Sequence, residues 1–296
     1  MKYVHQLLGL RSQQTIKNTM QSQGVGIHSG KISQLTFHAA PVNAGVEFHV
    51  MNEDQCIAVI PATIEYLLDK NTLRTVLTNH GFRVETVEHL LAALRAHNID
   101  NVYIKIWGQE IPIHDGSAAN WSQLIEHAGI QEQPFPIRAI KIIKPMKVTE
   151  NDSWASLSPG PDSSFRYDME YDHPLIGNQS FEFKLSQCEF QKQISSARTF
   201  GFLKDLDTLK LHKLAQGASL LNTLVFDDVK VLNQQALLWH NEPARHKVCD
   251  AIGDLSLAGY PIVGMFHGYK SGHALNQKLV VKLLSHTNHW CFTSVV

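Results

Sequence analysis

The sequence predicts an α+β protein of two similar domains, each an antiparallel sheet packed against helices in a β-α-α-β sandwich. Three observations support this. The chain has 296 residues, and at about 150 residues per domain that length suggests two cores. Short β-prone runs punctuated by Gly, Pro and Asn open each half. Finally, the order helix, strand, glycine loop, helix occurs twice. In that order 27 residues separate His89 from Gly116 and 26 separate His246 from Gly272, with Ser117-Ala118 and His273-Ala274 directly after the glycines. Repetition at this scale predicts an internal duplication, with domains at residues 1–133 and 134–296.

From Gly24 to Thr78, runs such as Gln34-Leu-Thr-Phe-His and Gly45-Val-Glu-Phe-His-Val read as a small, mostly antiparallel sheet. A helix is expected from Thr86 to His97, then a strand from Asn101 to Trp107, a loop through Gly116, and a helix from Ser117 to His127. The polar, proline-bearing stretch from Gln131 to Pro136 reads as the connection closing this half. The second half begins with β-prone runs from Ile137 to Phe183, followed by a helical segment from Lys204 to Leu214. The helix holding His246, a strand from Pro261 to His267 and a helix after Gly272 complete it.

A formal net charge of −1 argues against a broad nucleic-acid-binding face, which shows clustered excess Lys and Arg. No apolar run approaches the roughly 18 to 20 residues that span a bilayer. The stretch from Met1 to Leu10 is too short and polar for a secretion signal. A cytoplasmic monomer without nucleic-acid partners or stable membrane insertion is expected. Cys56, Cys188, Cys249 and Cys291 show no Cys-x-x-Cys spacing, so they indicate neither a zinc ribbon nor a disulfide framework.

The chemistry concentrates in two helical segments. His246, Asp250 and Asp254 recur every fourth residue in an apolar run, which sets them along one helix face. An imidazole and a carboxylate one turn apart can hold a divalent ion. Glu88 and His89 interrupt a second apolar helix. If His89, His246 and Asp250 hold the ion, two histidines and a carboxylate leave a coordination position open, the mark of a catalytic zinc site, and Glu88 is the nearby base. With 17 histidines in the chain, such spacings also arise by chance, and a helical histidine is often a surface or core residue. The repeat favours the metal, because each copy then contributes a histidine to an interdomain cleft, a preferred place for ligands.

Seven ordered motifs complete the picture: Gly24-Val-Gly-Ile-His-Ser-Gly30, Thr86-Val-Glu-His-Leu90, Ile99-Asp-Asn101, Glu110-Ile-Pro-Ile-His-Asp-Gly-Ser-Ala118, Ala197-Arg-Thr-Phe-Gly-Phe202, His246-Lys-Val-Cys-Asp-Ala-Ile-Gly-Asp254 and Lys270-Ser-Gly-His-Ala-Leu-Asn276. Over nearly its whole length the chain resembles the zinc-dependent UDP-3-O-acyl-N-acetylglucosamine deacetylases, which carry out the committed step of lipid A synthesis in Gram-negative bacteria. The resemblance implies one zinc ion per chain on His89, His246 and Asp250, with Glu88 as general base. It also implies that His273 is the acid that protonates the leaving amine, supported by Asp254, and that Thr199 stabilises the oxyanion.

For the UDP-linked acylated glucosamine substrate, the resemblance implies Lys247 and Lys270 near the diphosphate and Glu170-Tyr171 at the uracil. It places Phe200, Phe202, Leu203, Leu206 and Leu220 along the acyl passage, with Ile27 and His28 near its mouth. Relatives often carry Asp-Phe at Glu170-Tyr171, an aliphatic residue at Cys249, an apolar residue at His114 and Gly-Gly-Ser at Gly217-Ala-Ser219. None of these departures removes a catalytic group. Two other readings stay open: a metal-assisted amidase for another N-acylated sugar or peptide, and a nonenzymatic nucleotide-sugar binder, which the presence of Glu88 and His273 disfavours.

Overall fold

The computed structural model describes residues 11–68 and 73–294; the reading of Met1 to Leu10 lies outside them. The first half runs β1 (Ser12–Ile16), β2 (Met20–Val25), β3 (Ile32–Ala39), β4 (Val46–Asn52), β5 (Gln55–Pro61), β6 (Val76–Asn79), β7 (Phe82–Glu85), α1 (Glu88–Ala96), β8 (Val102–Trp107), α2 (Ala119–Ala128) and β9 (Ile130–Pro136). The second half runs β10 (Arg138–Ile142), β11 (Met146–Glu150), β12 (Ser153–Ser158), β13 (Ser163–Glu170), β14 (Asn178–Lys184), α3 (Gln187–Gln193), β15 (Phe200–Phe202), α4 (Leu206–Leu211), β16 (Leu224–Phe226), α5 (Glu242–Ser256), β17 (Ile262–Tyr269), α6 (His273–Ser285) and β18 (Trp290–Ser294).

The duplication expected from the repeated element order is present in the strand pairing. The first sheet follows β2-β3-β8-β4-β5, and its successive pairings are antiparallel, antiparallel, parallel and antiparallel. The second contains β11-β12-β17-β13-β14 with the same series. Flanking them, β1 pairs antiparallel with β9 and β10 pairs antiparallel with β18. The sheets are thus mostly antiparallel, but each has a parallel pair at the strand that follows a long helix, because a helical crossover returns the chain in the same direction.

Alternation explains which face each sheet buries. In β8, Val102, Ile104 and Ile106 are fully buried while Tyr103, Lys105 and Trp107 are not, the period-two signature of a sheet with one face on the core. Helices α5 and α6 pack against the second sheet, and α1 packs on α5. Every residue of α1 except Arg95 is buried, and one apolar cluster runs through both halves.

Three elements depart from the sequence reading. The segment expected to be a closing connection is β9, a strand that crosses the 133/134 boundary. Its polarity reflects an exposed ribbon whose inward-facing Gln133 bonds Asn101 and the carbonyl of Ala40. The hairpin β6-β7 turns at His80 and Gly81, whose φ values of 48° and 85° are the left-handed pair a type I′ turn requires. Helix α3 also went unread, although Ser186 accepts a hydrogen bond from the amide of Glu189, the Ser-x-x-Glu capping pattern.

One close approach positions the functional groups. A Cβ at Gly253 would lie 2.1 Å from the carbonyl oxygen of Glu88, so only glycine lets α5 come this near to the first turn of α1. That crossing sets the first-half pair Glu88-His89 against the second-half row of α5.

Candidate active site

Three buried side chains converge where α1 crosses α5. The Nε2 atoms of His89 and His246 each lie 3.4 Å from Asp250 Oδ1, and the rings meet edge to face at 4.8 Å. These residues form a group able to hold a metal ion. Asp250 Oδ1 is buried without a hydrogen-bond partner, an arrangement that costs free energy unless something electropositive sits there. Donors held tetrahedrally at about 2.0–2.1 Å from an ion stand roughly 3.3 Å apart, so the observed spacing fits one divalent ion.

The surroundings prepare these donors. His246 Nδ1 lies 2.9 Å from the carbonyl of Ala197, which fixes the proton on that nitrogen and leaves Nε2 a lone pair. Burial lowers the His246 pKa to about 3, keeping the ring neutral as a metal ligand must be. Burial alone would push Asp250 upward, but Lys247 and His246 hold it well below the usual carboxylate range. Lys247 Nζ donates to Asp250 Oδ2 at 2.8 Å. The lysine assigned to the diphosphate by resemblance is therefore tied to the metal-side carboxylate in this structure.

Across from this group stand a buried carboxylate and an imidazole. Glu88 is buried, and burial raises its pKa. The His273 Nε2 is 3.7 Å from Glu88 Oε1, while Nδ1 is 2.9 Å from Asp254 Oδ2. Burial opposes charge on His273, yet Asp254 and Glu88 outweigh it and raise the pKa to about 9. An imidazolium and a carboxylate of raised basicity beside one metal group can donate and accept protons at neutral pH.

A cavity of about 600 Å³ joins these groups, lined from both halves. Of the residues singled out from sequence, Glu88, His89, Thr199, Phe200, Phe202, Tyr171, His246, Lys247, Asp250, His273, Ile27 and His28 border it. Asp254 is fully buried behind His273. Burial and the nearby Arg74 lower the His28 pKa to about 4, so this ring is neutral at the cavity mouth. Tyr171 packs on Phe202 at 5.3 Å between ring centres.

Other expected residues lie elsewhere. Lys270 bonds Asp152 at 2.9 Å and Glu170 at 3.1 Å, with Glu170 also receiving the Tyr269 hydroxyl; this exposed cluster is outside the cavity lining. Leu203 is 44% and Leu220 50% exposed, and neither they nor Leu206 lines the cavity. Asp205, Thr208 and Leu209 do, at the i, i+3, i+4 spacing of one helix face, which turns Leu206 away. Sequence reading also missed Leu73 and Thr75. Thr75 is fully buried between Glu88 and Asp254 and had no pattern that could mark it.

The model of the UDP-3-O-acyl N-acetylglycosamine deacetylase family matches residues 13–285. The chain is 44% identical over 274 residues to the UDP-3-O-acyl-N-acetylglucosamine deacetylase of Myxococcus xanthus, covering 93% of this chain and 87% of that protein. It is 42% identical over 286 residues to the protein of that name from Stenotrophomonas maltophilia, covering 95% and 93%. A third, from Thioalkalivibrio sulfidiphilus, is 41% identical over 284 residues with the same coverage. With this match over nearly the whole chain, and a histidine, histidine and aspartate gathered in its interior, the chain belongs to the UDP-3-O-acyl N-acetylglycosamine deacetylase family.

Proposed function

We propose that this chain removes the N-acetyl group of UDP-3-O-[(3R)-hydroxyacyl]-N-acetylglucosamine, releasing acetate, with one zinc ion per chain on His89, His246 and Asp250. The reading makes it a cytoplasmic monomer acting at the committed step of lipid A synthesis, and the halves at residues 1–133 and 134–296 its two domains. The observation that carries it is the buried, unpartnered Asp250 Oδ1 facing two imidazole nitrogens in a cavity shared with Glu88 and His273. Two nitrogens and a carboxylate oxygen suit zinc and leave a position free.

A bound ion of this kind polarises a carbonyl and brings the pKa of water toward about 7. Glu88 takes a proton from the attacking water as its oxygen bonds the acetyl carbon. His273 then gives its Nε2 proton to the amide nitrogen, so the C–N bond breaks and a neutral amine leaves. Asp254 holds the opposite nitrogen of the ring at 2.9 Å, which keeps Nε2 aimed inward. Thr199 lines the cavity and is assigned to the developing oxyanion.

Tyr171, Phe200 and Phe202 form an aromatic wall for the uracil and the start of the acyl chain. Lys247, Lys270 and Glu170 serve the nucleotide end, where Lys270 exchanges an acidic partner for a phosphate. Leu209 and the exposed Leu73 extend the apolar lining, and Leu203, Leu206 and Leu220 meet the acyl chain only beyond it. Acetate release assayed on UDP-linked N-acetylglucosamine with and without the 3-O-acyl group tests the substrate. Equal rates on both would replace this reading with a general amidase. Glu88→Ala should cut turnover about 100- to 10,000-fold with zinc retained, whereas His246→Ala should lose the ion.

A further inference from the structure

The base Glu88 and the carboxylate Asp254 sit on helices from different halves of the chain, yet one residue on neither helix touches both. Thr75, in the segment entering β6, is fully buried. Its backbone N–H donates to Glu88 Oε2 at 3.1 Å. Its hydroxyl donates to Asp254 Oδ1 at 2.5 Å and accepts from Gln277 Nε2 at 2.9 Å. Its carbonyl accepts from the amide of Thr86 at 2.9 Å, at the entry to α1.

We propose that Thr75 is a positioning residue that sets the base Glu88 and the Asp254–His273 pair in one register across the two halves. The inference rests on the reaction proposed above. Asp254 receives the Thr75 hydroxyl, Asn276 Nδ2 at 2.9 Å and His273 Nδ1 at 2.9 Å. A carboxylate held by three donors cannot rotate, so His273 cannot swing its Nε2 away from the reacting centre. Gln277 donates to the Thr75 oxygen, and His273 Nδ1, 3.5 Å from that oxygen, is itself turned as a donor to Asp254, so the hydroxyl proton serves Asp254. The direction of that hydrogen bond is thereby fixed. Because the amide of the same residue engages Glu88, a shift of the acid's support carries the base with it. A group misplaced by 1 Å costs large factors in rate without altering ground-state binding.

Thr75→Val keeps the shape and removes the hydroxyl, while Thr75→Ser keeps the hydroxyl and removes the methyl. If Thr75 positions the pair, kcat falls about 10- to 100-fold in the valine variant, the range of a hydrogen bond to a charged group. KM and zinc content stay unchanged, and the serine variant retains most of kcat. In metal-free protein, the proton resonance of His273 Nδ1–H moves in the valine variant and not in the serine variant. If Thr75 is only packing, valine outperforms serine and the resonance stays in place, and either result overturns the inference. If the valine variant does not fold, Thr75→Ala against Thr75→Ser makes the same comparison. Glu88→Ala run alongside separates the two levels. Full turnover in that variant removes the proposed reaction and this inference with it, whereas loss of turnover there with a wild-type valine variant removes only the role of Thr75.

Discussion

The two halves share a strand plan and differ in what they do at equivalent places. After the glycine that ends each helical loop, the first half has Ser117 and the second has His273. Ser117 bonds Asp115 at 2.8 Å and accepts the amide of Ala119, so it finishes the start of α2. His273 instead begins α6, with one nitrogen on Asp254 and the other toward Glu88 and Asp250. One copy of the turn supports a helix start, and the other carries the imidazole proposed as the acid. In the proposed reaction the first half supplies one ligand and the base, and the second supplies two ligands and the acid with its support. Duplication provided two like surfaces, and chemistry arose from making them unlike.

The sharpest test exchanges roles across the halves. His273→Ala is expected to lower kcat about 100- to 10,000-fold, the usual worth of a positioned acid, and to lower the melting temperature of the metal-free protein at pH 6, where the charged imidazole contributes fully. Ser117→Ala is expected to leave turnover intact and cost about 1 kcal/mol of stability, as a lost turn hydrogen bond does, in a denaturant titration. Loss of turnover in both would make the turns functionally alike and end the contrast.

A second test concerns the crossing. Seven residues after His246 stands Gly253, and seven after His89 stands Ala96. Gly253→Ala places a methyl against the Glu88 carbonyl, and overpacking of this kind costs about 1–3 kcal/mol. Melting temperature and metal affinity should fall together, because the same movement parts His89 from Asp250. Ala96→Gly should lower stability alone, by up to about 1 kcal/mol, with metal affinity unchanged by titration.

A further test concerns pH. His273 is raised from 6.5 to about 9 in the folded chain, so its charged form stabilises the metal-free protein fully below pH 6.5. That contribution is lost as pH rises toward 9. Melting curves from pH 6 to 10 should show the decline, and Asp254→Asn should flatten it. An unchanged slope would place the charge elsewhere. Ser117 has no such titration, so the first-half turn adds nothing to this slope.

Legibility followed the same division. Helices α1 and α5 could be read from sequence because charged groups break an apolar period-3.6 run, and the repeat could be read because glycine and its neighbours recur at nearly equal distance. Strand β9 was opaque, since an exposed ribbon has no buried face to write an alternating pattern. The cavity-facing side of α4 was hidden for a related reason: a two-turn helix does not reveal which face looks inward, and the structure puts Leu209 on the cavity and Leu206 off it. Thr75 left no trace because it acts partly through its backbone amide, which every residue but proline has, and because its partners lie 13 and 179 positions away.

The close approach at Gly253 would also turn a bound ion into a strain gauge. The ligands would come from two helices held together by packing and through Thr75, so any substitution that tilts α1 against α5, however far from the histidines, changes the distance the ion must bridge. Metal affinity would then report the fit between the halves, and a library of core variants could be ranked for correct assembly by chelator competition alone, without substrate.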